Sequence, residues 1–275
     1  VAETLGKEAS MFVPSGTQSN LAALMTHCGR GDEYLVGQQA HTYLFEGGGG
    51  ATLAGLQPQP LDQEPDGTLD LEKLKKLIKP DDYHYARTRL LCLENTTWGK
   101  VLPQEYLVAA KSFAVEHGLA LHLDGARIFN AAVDQGISAA EIASSFDSVS
   151  VCLSKGLGCP IGSVLAGSAD FVKEARRWRK MLGGGMRQSG ILAAAGIHAL
   201  QHNVDRLAED HANARLLAEG LAAIDSIDIA SVQTNMVFAT VEEHKITGLA
   251  EHLKQHGILI MAPIAGSLRL VTHLD

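Results

Sequence analysis

The chain has 275 residues, 46% of them hydrophobic, and a formal net charge of −8. That length allows one large domain, or a core domain with a smaller one, and a sizeable core. The acidic balance, without a basic tract or basic-aromatic interleaving, argues against nucleic acid and anionic membrane as partners.

Val1–Lys7 reads as the end of a helix. Ser15-Gly16-Thr17 then opens a helix over 18–28, after the apolar Met11-Phe12-Val13, with Pro14 fixing the turn. Backbone N–H groups at such a helix start form an anion site. Glu33–Val36 is a short strand, followed by His41-Thr42-Tyr43. The run Gly47–Gly50 reads either as a flexible turn or as a close backbone approach to a ligand or a neighbouring subunit. Leu69–Leu77 is a helix with alternating charges, closed by Pro80, and Leu90–Leu93 is a buried strand ending at Glu94-Asn95-Thr96.

A helix over 104–117 feeds a strand, Leu119–Leu123, that delivers Asp124. A short helix over 138–144 precedes the apolar strand Ser148–Leu153, which delivers Ser154-Lys155 and the turn Gly156-Leu157-Gly158. Ser163–Ala166 reads as a strand, and Ala169–Met181 as a basic amphipathic helix with a solvated or subunit-facing surface. Gly183–Gly185 breaks the pattern before Met186-Arg187-Gln188. One long helix is expected from Ser189 to about Gly220, with a bend near Asn203, leading into a smaller domain. There the pattern predicts a strand at Asn235–Ala239, a helix over Glu242–Gln255, and strands at Leu259–Met261 and Leu268–Val271. Strands alternating with helices indicate an α/β sheet with its site along the strands' carboxyl edge. The expected division is a large, mostly parallel-sheet domain over 1–205 and a small C-terminal α+β domain over 206–275. Leu268–Asp275 reads as a strand cut just past its end, so a fragment is expected. Cys28, Cys92, Cys152 and Cys159 are widely spaced in mostly apolar runs. They fit reduced core thiols of a cytoplasmic protein, and no run approaches transmembrane length.

An apolar strand that delivers a lysine to its carboxyl end has a use for the amine. One strand-end lysine and one strand-end carboxylate suit a pyridoxal 5'-phosphate enzyme. Lys155 would form the internal Schiff base, and Asp124 would keep the pyridine nitrogen protonated. The phosphate needs several donors, which Ser15, Gly16, Thr17 and Ser154 can supply. His41 would stack on the pyridine face, or else it is a turn histidine with a satisfied hydrogen bond. Arg127, in Asp124-Gly125-Ala126-Arg127, and Arg269, in an otherwise apolar strand, are the candidates for a substrate carboxylate, whose geometry the guanidinium fork matches. Arg187 is placed to cross a subunit boundary to the phosphate, and His273 is part of the wall or surface. The histidines lack zinc-site clustering, so no metal is expected. Ser-Gly-Thr is not the glycine-rich dinucleotide turn, which argues against NAD.

Seven stretches carry a family resemblance: Phe12–Asn20 (FVPSGTQSN), Gln39–Gly49 (QAHTYLFEGGG), Leu93–Thr96 (LENT), Leu121–Asn130 (LHLDGARIFN), Cys152–Gly158 (CLSKGLG), Trp178–Ala193 (WRKMLGGGMRQSGILA) and Arg269–Asp275 (RLVTHLD). Together the chain resembles the low-specificity L-threonine aldolases, fold-type I pyridoxal phosphate enzymes of the aspartate aminotransferase superfamily (the PLP-dependent transferase-like fold). The resemblance implies retro-aldol cleavage of L-threonine and L-allo-threonine to glycine and acetaldehyde, and action on related L-β-hydroxy-α-amino acids. It also implies a homotetramer, a dimer of dimers with shared sites. By position, Lys155 resembles the Schiff-base lysine, Asp124 the ring-nitrogen partner and His41 the stacking histidine. Gly16 and Thr17 resemble the phosphate binders, Arg187 the arginine lent by a neighbour, and Arg127 with Arg269 the carboxylate pair. The family pattern continues Glu-Asn-Thr with a histidine and an asparagine, where this chain has Thr97 and Trp98. The resemblance gives that histidine position a contact to the substrate hydroxyl, so Thr97, a donor but a poor base, becomes a substrate-binding candidate. An N-terminal arm that the resemblance implies is absent from this sequence. The rival expectations are another pyridoxal phosphate lyase or aminotransferase on the same fold, or a non-catalytic homologue.

Overall fold

The structure, a computed structural model, describes residues 1–242, 246, 248–261 and 266–274. Along the chain run β1 (Ala9–Val13), α1 (Gly16–His27), β2 (Glu33–Gly37), α2 (His41–Leu44), α3 (Gly49–Thr52), β3 (Gln57–Leu61), α4 (Leu71–Leu77) and β4 (Thr88–Glu94). Next come α5 (Gln104–Glu116), β5 (Ala120–Asp124), α6 (Ile128–Gln135), α7 (Ala139–Ala143), β6 (Ser148–Cys152), β7 (Ser163–Gly167) and α8 (Ala169–Met181). The remainder comprises α9 (Gly190–His202), α10 (Leu207–Ala222), β8 (Ile227–Gln233), β9 (Met236–Val241), α11 (Leu249–Gln255) and β10 (Ser267–Val271). Helix starts coincide with capping side chains: Ser15, Asp70, Ser138 and Ser168 each accept a backbone N–H, and Ser138 with Glu141 forms a reciprocal capping box.

Seven strands form one sheet in the order β1-β7-β6-β5-β4-β2-β3. The strands from β6 through β3 pair in parallel, and β7 runs antiparallel between β6 and β1. Both faces of the sheet are covered. Leu35, Leu91 and Leu93 pack in one core layer, while Tyr34, Val36, Leu90 and Cys92 pack in another. This is why the strand sequences read as continuous apolar runs instead of alternating. Parallel pairing brings the carboxyl ends of β4, β5 and β6 to one edge, and β1, antiparallel to β7 as β6 is, ends there too. A second sheet, β10-β9-β8, is antiparallel. The architecture is the fold-type I α/β arrangement with a small C-terminal sheet. No helix among the described residues is long and apolar enough to cross a membrane.

Several expectations need correction. The single long helix is two, α9 and α10, separated at Asn203, whose side-chain amide donates to the Leu157 carbonyl at 2.8 Å. A short polar side chain that bonds backbone elsewhere ends a helix more readily than it bends one. The helix expected over Glu242–Gln255 is described as α11, from Leu249; residues 243–245 and 247 of that span lie outside the described residues, as does Asp275. Leu259–Met261 is not a strand. The central β9 already has β10 on one edge and β8 on the other, and Leu259 and Met261 are exposed. The N-terminal segment holds only a 3-10 turn, Glu3–Leu5, closed by Gly6. Among the strands not foreseen, β3 carries Pro58 and Pro60, which an edge strand pairing only with β2 accommodates. The glycine run turns sharply at Gly47 and Gly48, with φ of 62° and 68°, and enters α3.

Candidate active site

Glu94 and Asp124 end β4 and β5 as register partners, and β6 pairs alongside with Ser150 opposite Asp124. The segment leaving β6 carries Lys155 across this edge. A cleft of about 320 Å³ opens there, with Lys155, Asp124, Glu94, His41 and Arg127 on the large-sheet side. The small sheet closes the other side with Arg269 of β10, the register partner of Phe238 in β9. Four of the expected residues from three separate segments, with Arg269 from a fourth, therefore share one cavity.

Lys155 sits in a braced turn. Its carbonyl accepts the Gly158 N–H at 2.9 Å and the His273 Nε2–H at 2.9 Å. His273 thus supports the lysine turn from behind. Asp124 is buried, and its oxygens accept from Asn20 Nδ2 at 2.8 Å and from the Ala126 N–H at 3.1 Å. The same Asn20 amide donates to Glu46 Oε1 at 2.8 Å, and Glu46 Oε1 lies 3.0 Å from His41 Nδ1. The hydrogen bond to Glu46 raises the His41 pKa above the ordinary imidazole value against the opposing effect of burial. Glu46 itself is pushed up, by burial first and then by Asp124. His41, Glu46 and Asp124 place one ligand atom each within 4.8 Å of one another. Donors from Asn20 and His41 already occupy these carboxylates, so the cluster is a hydrogen-bonded network and not an open cation cage.

Behind Asn20 the network continues inward. His122 Nε2 lies 3.3 Å from Asn20 Oδ1, His122 Nδ1 2.7 Å from Ser148 Oγ, and His27 Nε2 2.7 Å from the same hydroxyl. Burial drives the pKa of His122 down to about 3 and that of His27 to about 4, so both are neutral near pH 7. Neutral rings fix the direction of the bonds: His27 donates to Ser148, Ser148 to His122, and His122 to Asn20.

Arg127 from the large-sheet side and Arg269 from the small sheet bring positive charge to the cleft. Burial, with the neighbouring Arg269 charge second, lowers Arg127 to about 10, which leaves it protonated at neutral pH. Its Nε is buried and has no hydrogen-bond partner among the described residues, and neither has Thr96 Oγ1 on the same cleft. Glu94, pushed up to about 7 by burial and then by Asp124, accepts the His41 backbone N–H at 2.7 Å.

The expected anion donors lie beside the cleft and do not line it. Ser15 caps α1 by accepting the Gln18 N–H, and Thr17 follows in its first turn. A Cβ on Gly16 would stand 2.9 Å from Cys152 Sγ, so only glycine lets this helix start approach the end of β6. Ser154 and Arg187 are exposed and outside the cleft lining. Thr97 is placed differently from its expectation as a substrate contact. It is buried, its hydroxyl accepts Gln63 Nε2 at 2.8 Å, and its neighbours Thr96 and Trp98 line the cleft instead. The cause is a tight loop in which Thr97 and Lys100 exchange backbone hydrogen bonds and turn the Thr97 side chain inward. Asn20 and Glu46 were not singled out from sequence, Glu94 was read only as a strand end and Trp98 only as a departure from the family pattern. Asn20 carried a signal, as a polar residue entering the apolar Leu21–Met25 face of a helix; Glu46 carried none.

A model of the family described as beta-eliminating lyase matches residues 1–244. The low specificity L-threonine aldolase of Escherichia coli strain K12 is 58% identical over 275 residues, spanning 100% of this chain and 81% of that protein. Low-specificity L-threonine aldolase 1 of Arabidopsis thaliana is 44% identical over 284 residues, spanning 99% of this chain and 79% of that protein. Among solved structures, the threonine aldolase of Leishmania major superposes with a TM-score of 0.84 at 24% identity, covering 99% of this chain and 81% of that one.

Proposed function

Because the chain belongs to the family of low-specificity L-threonine aldolases, we infer that it is a carbon–carbon lyase that cleaves L-threonine, L-allo-threonine and related L-β-hydroxy-α-amino acids to glycine and an aldehyde. The observation that carries this reading is the joining in one cleft of a strand-end lysine, a buried aspartate and two arginines, one of them with an unpartnered buried Nε.

These residues fit pyridoxal 5'-phosphate. Lys155 offers the amine for its aldehyde. Asp124, with both oxygens held by Asn20 and Ala126, offers a fixed negative charge to keep a proton on its ring nitrogen. The helix start at Ser15-Gly16-Thr17, together with Ser154, offers donors to its phosphate beside the end of β6. When bound, the group supplies an electron sink for the pair released from the Cα–Cβ bond. Arg127 and Arg269 hold the substrate carboxylate, which offers an acceptor to the Arg127 Nε that has none among the described residues. His41, with Nδ1 tied to Glu46, keeps Nε2 to take the β-hydroxyl proton through water. Thr97, tied to Gln63 and outside the cleft lining, has no part in this scheme. The exposed Arg187, after Gly183–Gly185, would reach the phosphate of a neighbouring copy in a cytoplasmic homotetramer built from dimers. The exposed Ile191 and Ile197 of α9 support such association.

The test is product analysis with the cofactor-loaded protein given L-threonine and L-allo-threonine separately. Glycine with acetaldehyde supports the reading. A keto acid with ammonia would move it to β-elimination, which the matching family model also describes. Lys155→Ala is expected to lose the cofactor's visible absorbance band and at least about 10³-fold in turnover; retained turnover would remove Lys155 from this role.

A further inference from the structure

Asn20, His122 and Ser148 are fully buried where α1 packs on the large sheet, on a helix whose next residues are the buried Leu21, Ala22, Ala23 and Leu24. Asn20 and His27 lie about two turns apart on α1. His122 of β5 and Ser148 of β6 are register partners in the sheet. Hydrogen bonds join the four: His27 Nε2 to Ser148 Oγ at 2.7 Å, Ser148 Oγ to His122 Nδ1 at 2.7 Å, and His122 Nε2 to Asn20 Oδ1 at 3.3 Å. The path leaves α1 at His27, crosses β6 and β5, and returns to the same helix at Asn20. Polar groups in such a layer cost stability unless each finds a partner. The bond-breaking scheme gives His27, Ser148 and His122 no part.

The path has one direction. Asn20 Nδ2 faces two carboxylates, Asp124 Oδ2 and Glu46 Oε1, each at 2.8 Å, so Oδ1 is the atom turned to His122. Oδ1 only accepts, which requires the Nε2–H form of His122. That tautomer leaves Nδ1 as an acceptor. The Ser148 hydroxyl gives its one proton there, and His27 Nε2–H donates to the same hydroxyl. The other tautomer would set an imidazole lone pair against Asn20 Oδ1 and release the amide from its alignment. Asp124 is the group offered to the ring nitrogen, and Glu46 accepts from His41 Nδ1. One amide plane therefore stands between the buried relay and both of these groups.

Resting on the cofactor reading above, we propose that His122 is a positioning residue for the cofactor and the proton acceptor together. Its Nε2–H holds the Asn20 amide across Asp124 and Glu46, and Ser148, backed by His27, holds His122 in the one tautomer that can do so. The relay touches neither substrate nor cofactor. It acts through Asn20 on the carboxylate that meets the ring and on the carboxylate that aims His41, and it leaves Arg127 and Arg269 alone.

The test compares wild type with His122→Phe, His122→Gln and Ser148→Ala. It measures the dissociation constant for pyridoxal 5'-phosphate by spectrophotometric titration, kcat and KM for L-threonine in the loaded protein, and thermal unfolding of each variant. His122→Phe removes the donor and is expected to raise the dissociation constant about tenfold and lower kcat about tenfold, with KM for the amino acid unmoved. His122→Gln reaches as far as the imidazole Nε2 and donates there, so it should restore most of both. Ser148→Ala removes a single atom and keeps the fold if His122→Phe does not. It takes the donor from His122 Nδ1 and should raise the dissociation constant by a smaller factor, about threefold. A lowered unfolding temperature with the dissociation constant and kcat unmoved makes the relay structural only and overturns the proposal. A rise in KM with the dissociation constant unmoved overturns it, and so does a loss in His122→Phe that His122→Gln repeats in full. A wild-type protein that binds no pyridoxal 5'-phosphate defeats the reading beneath; binding that none of the variants changes defeats this proposal alone.

Discussion

The side-chain amide of Asn20 donates to Asp124 Oδ2 at 2.8 Å, joining the second turn of α1 to the end of β5. The same nitrogen donates to Glu46, so one neutral group holds two carboxylates that would otherwise repel. Removing it takes the donor from Asp124 Oδ2 and one of two donors from Glu46 Oε1, which keeps His41, and a bond to a charged acceptor is costly to lose. Asn20→Ala is expected to raise the dissociation constant for pyridoxal 5'-phosphate by about tenfold or more. Spectrophotometric titration of the apoprotein measures this, and an unchanged constant would mean that Asp124 does not need Asn20 to meet the ring.

The charge of Arg269 disfavours that of Arg127, which Glu94 and Asp124 offset only in part, so a bound carboxylate between the two arginines is favoured. Arg269→Ala should raise KM for the amino acid by roughly 10- to 100-fold, with a smaller effect on kcat, since the carboxylate is held throughout the reaction. Arg269→Lys should recover only part of this, because an ammonium lacks the bidentate fork. Steady-state kinetics decide it; a fall in kcat with KM unmoved would place Arg269 outside carboxylate binding.

Glu46 raises the pKa of His41 by accepting its Nδ1–H. A base must be neutral to act, so this interaction moves the acid limb of the kcat/KM profile upward in pH. Glu46→Gln removes the charge and should shift that limb to lower pH while leaving the alkaline limb in place. A limb that does not move would separate His41 from the proton step.

His27 and His122 are neutral in the fold, with pKa values lowered to about 4 and about 3 from an ordinary 6.5. Between pH 6.5 and these values the unfolded chain binds more protons than the folded one. Stability is therefore present above pH 6.5 and is lost as pH falls through this window, by about 1.4 kcal/mol per pH unit for each histidine. Denaturant midpoints of the apoprotein, measured from pH 7 to pH 4, should show this slope, and His27→Gln should flatten it. A slope equal to that of the wild type would mean His27 titrates normally.

Much of the architecture was legible because local chemistry repeats it. Capping serines and aspartates mark helix starts, and the buried β4, β5 and β6 announce themselves as apolar runs ending in Glu94, Asp124 and Lys155. The failures were of another kind. β3 carries two prolines and β8 alternates half-exposed residues, so neither resembles a buried strand. The break at Asn203 depends on a carbonyl 46 positions away in sequence.

The sequence by itself determined the class of the protein and its strand-end lysine, aspartate and arginines, because strand-end chemistry and apolar periodicity are written locally along the chain. The tertiary structure alone decided which polar groups work together. Asn20 joins Asp124 to Glu46, Trp98 takes the place on the cleft expected of Thr97, and Arg269 arrives from a separate sheet. These are contacts between segments far apart in the chain. They depend on strand register, loop direction and the approach of two sheets, and no local pattern encodes them.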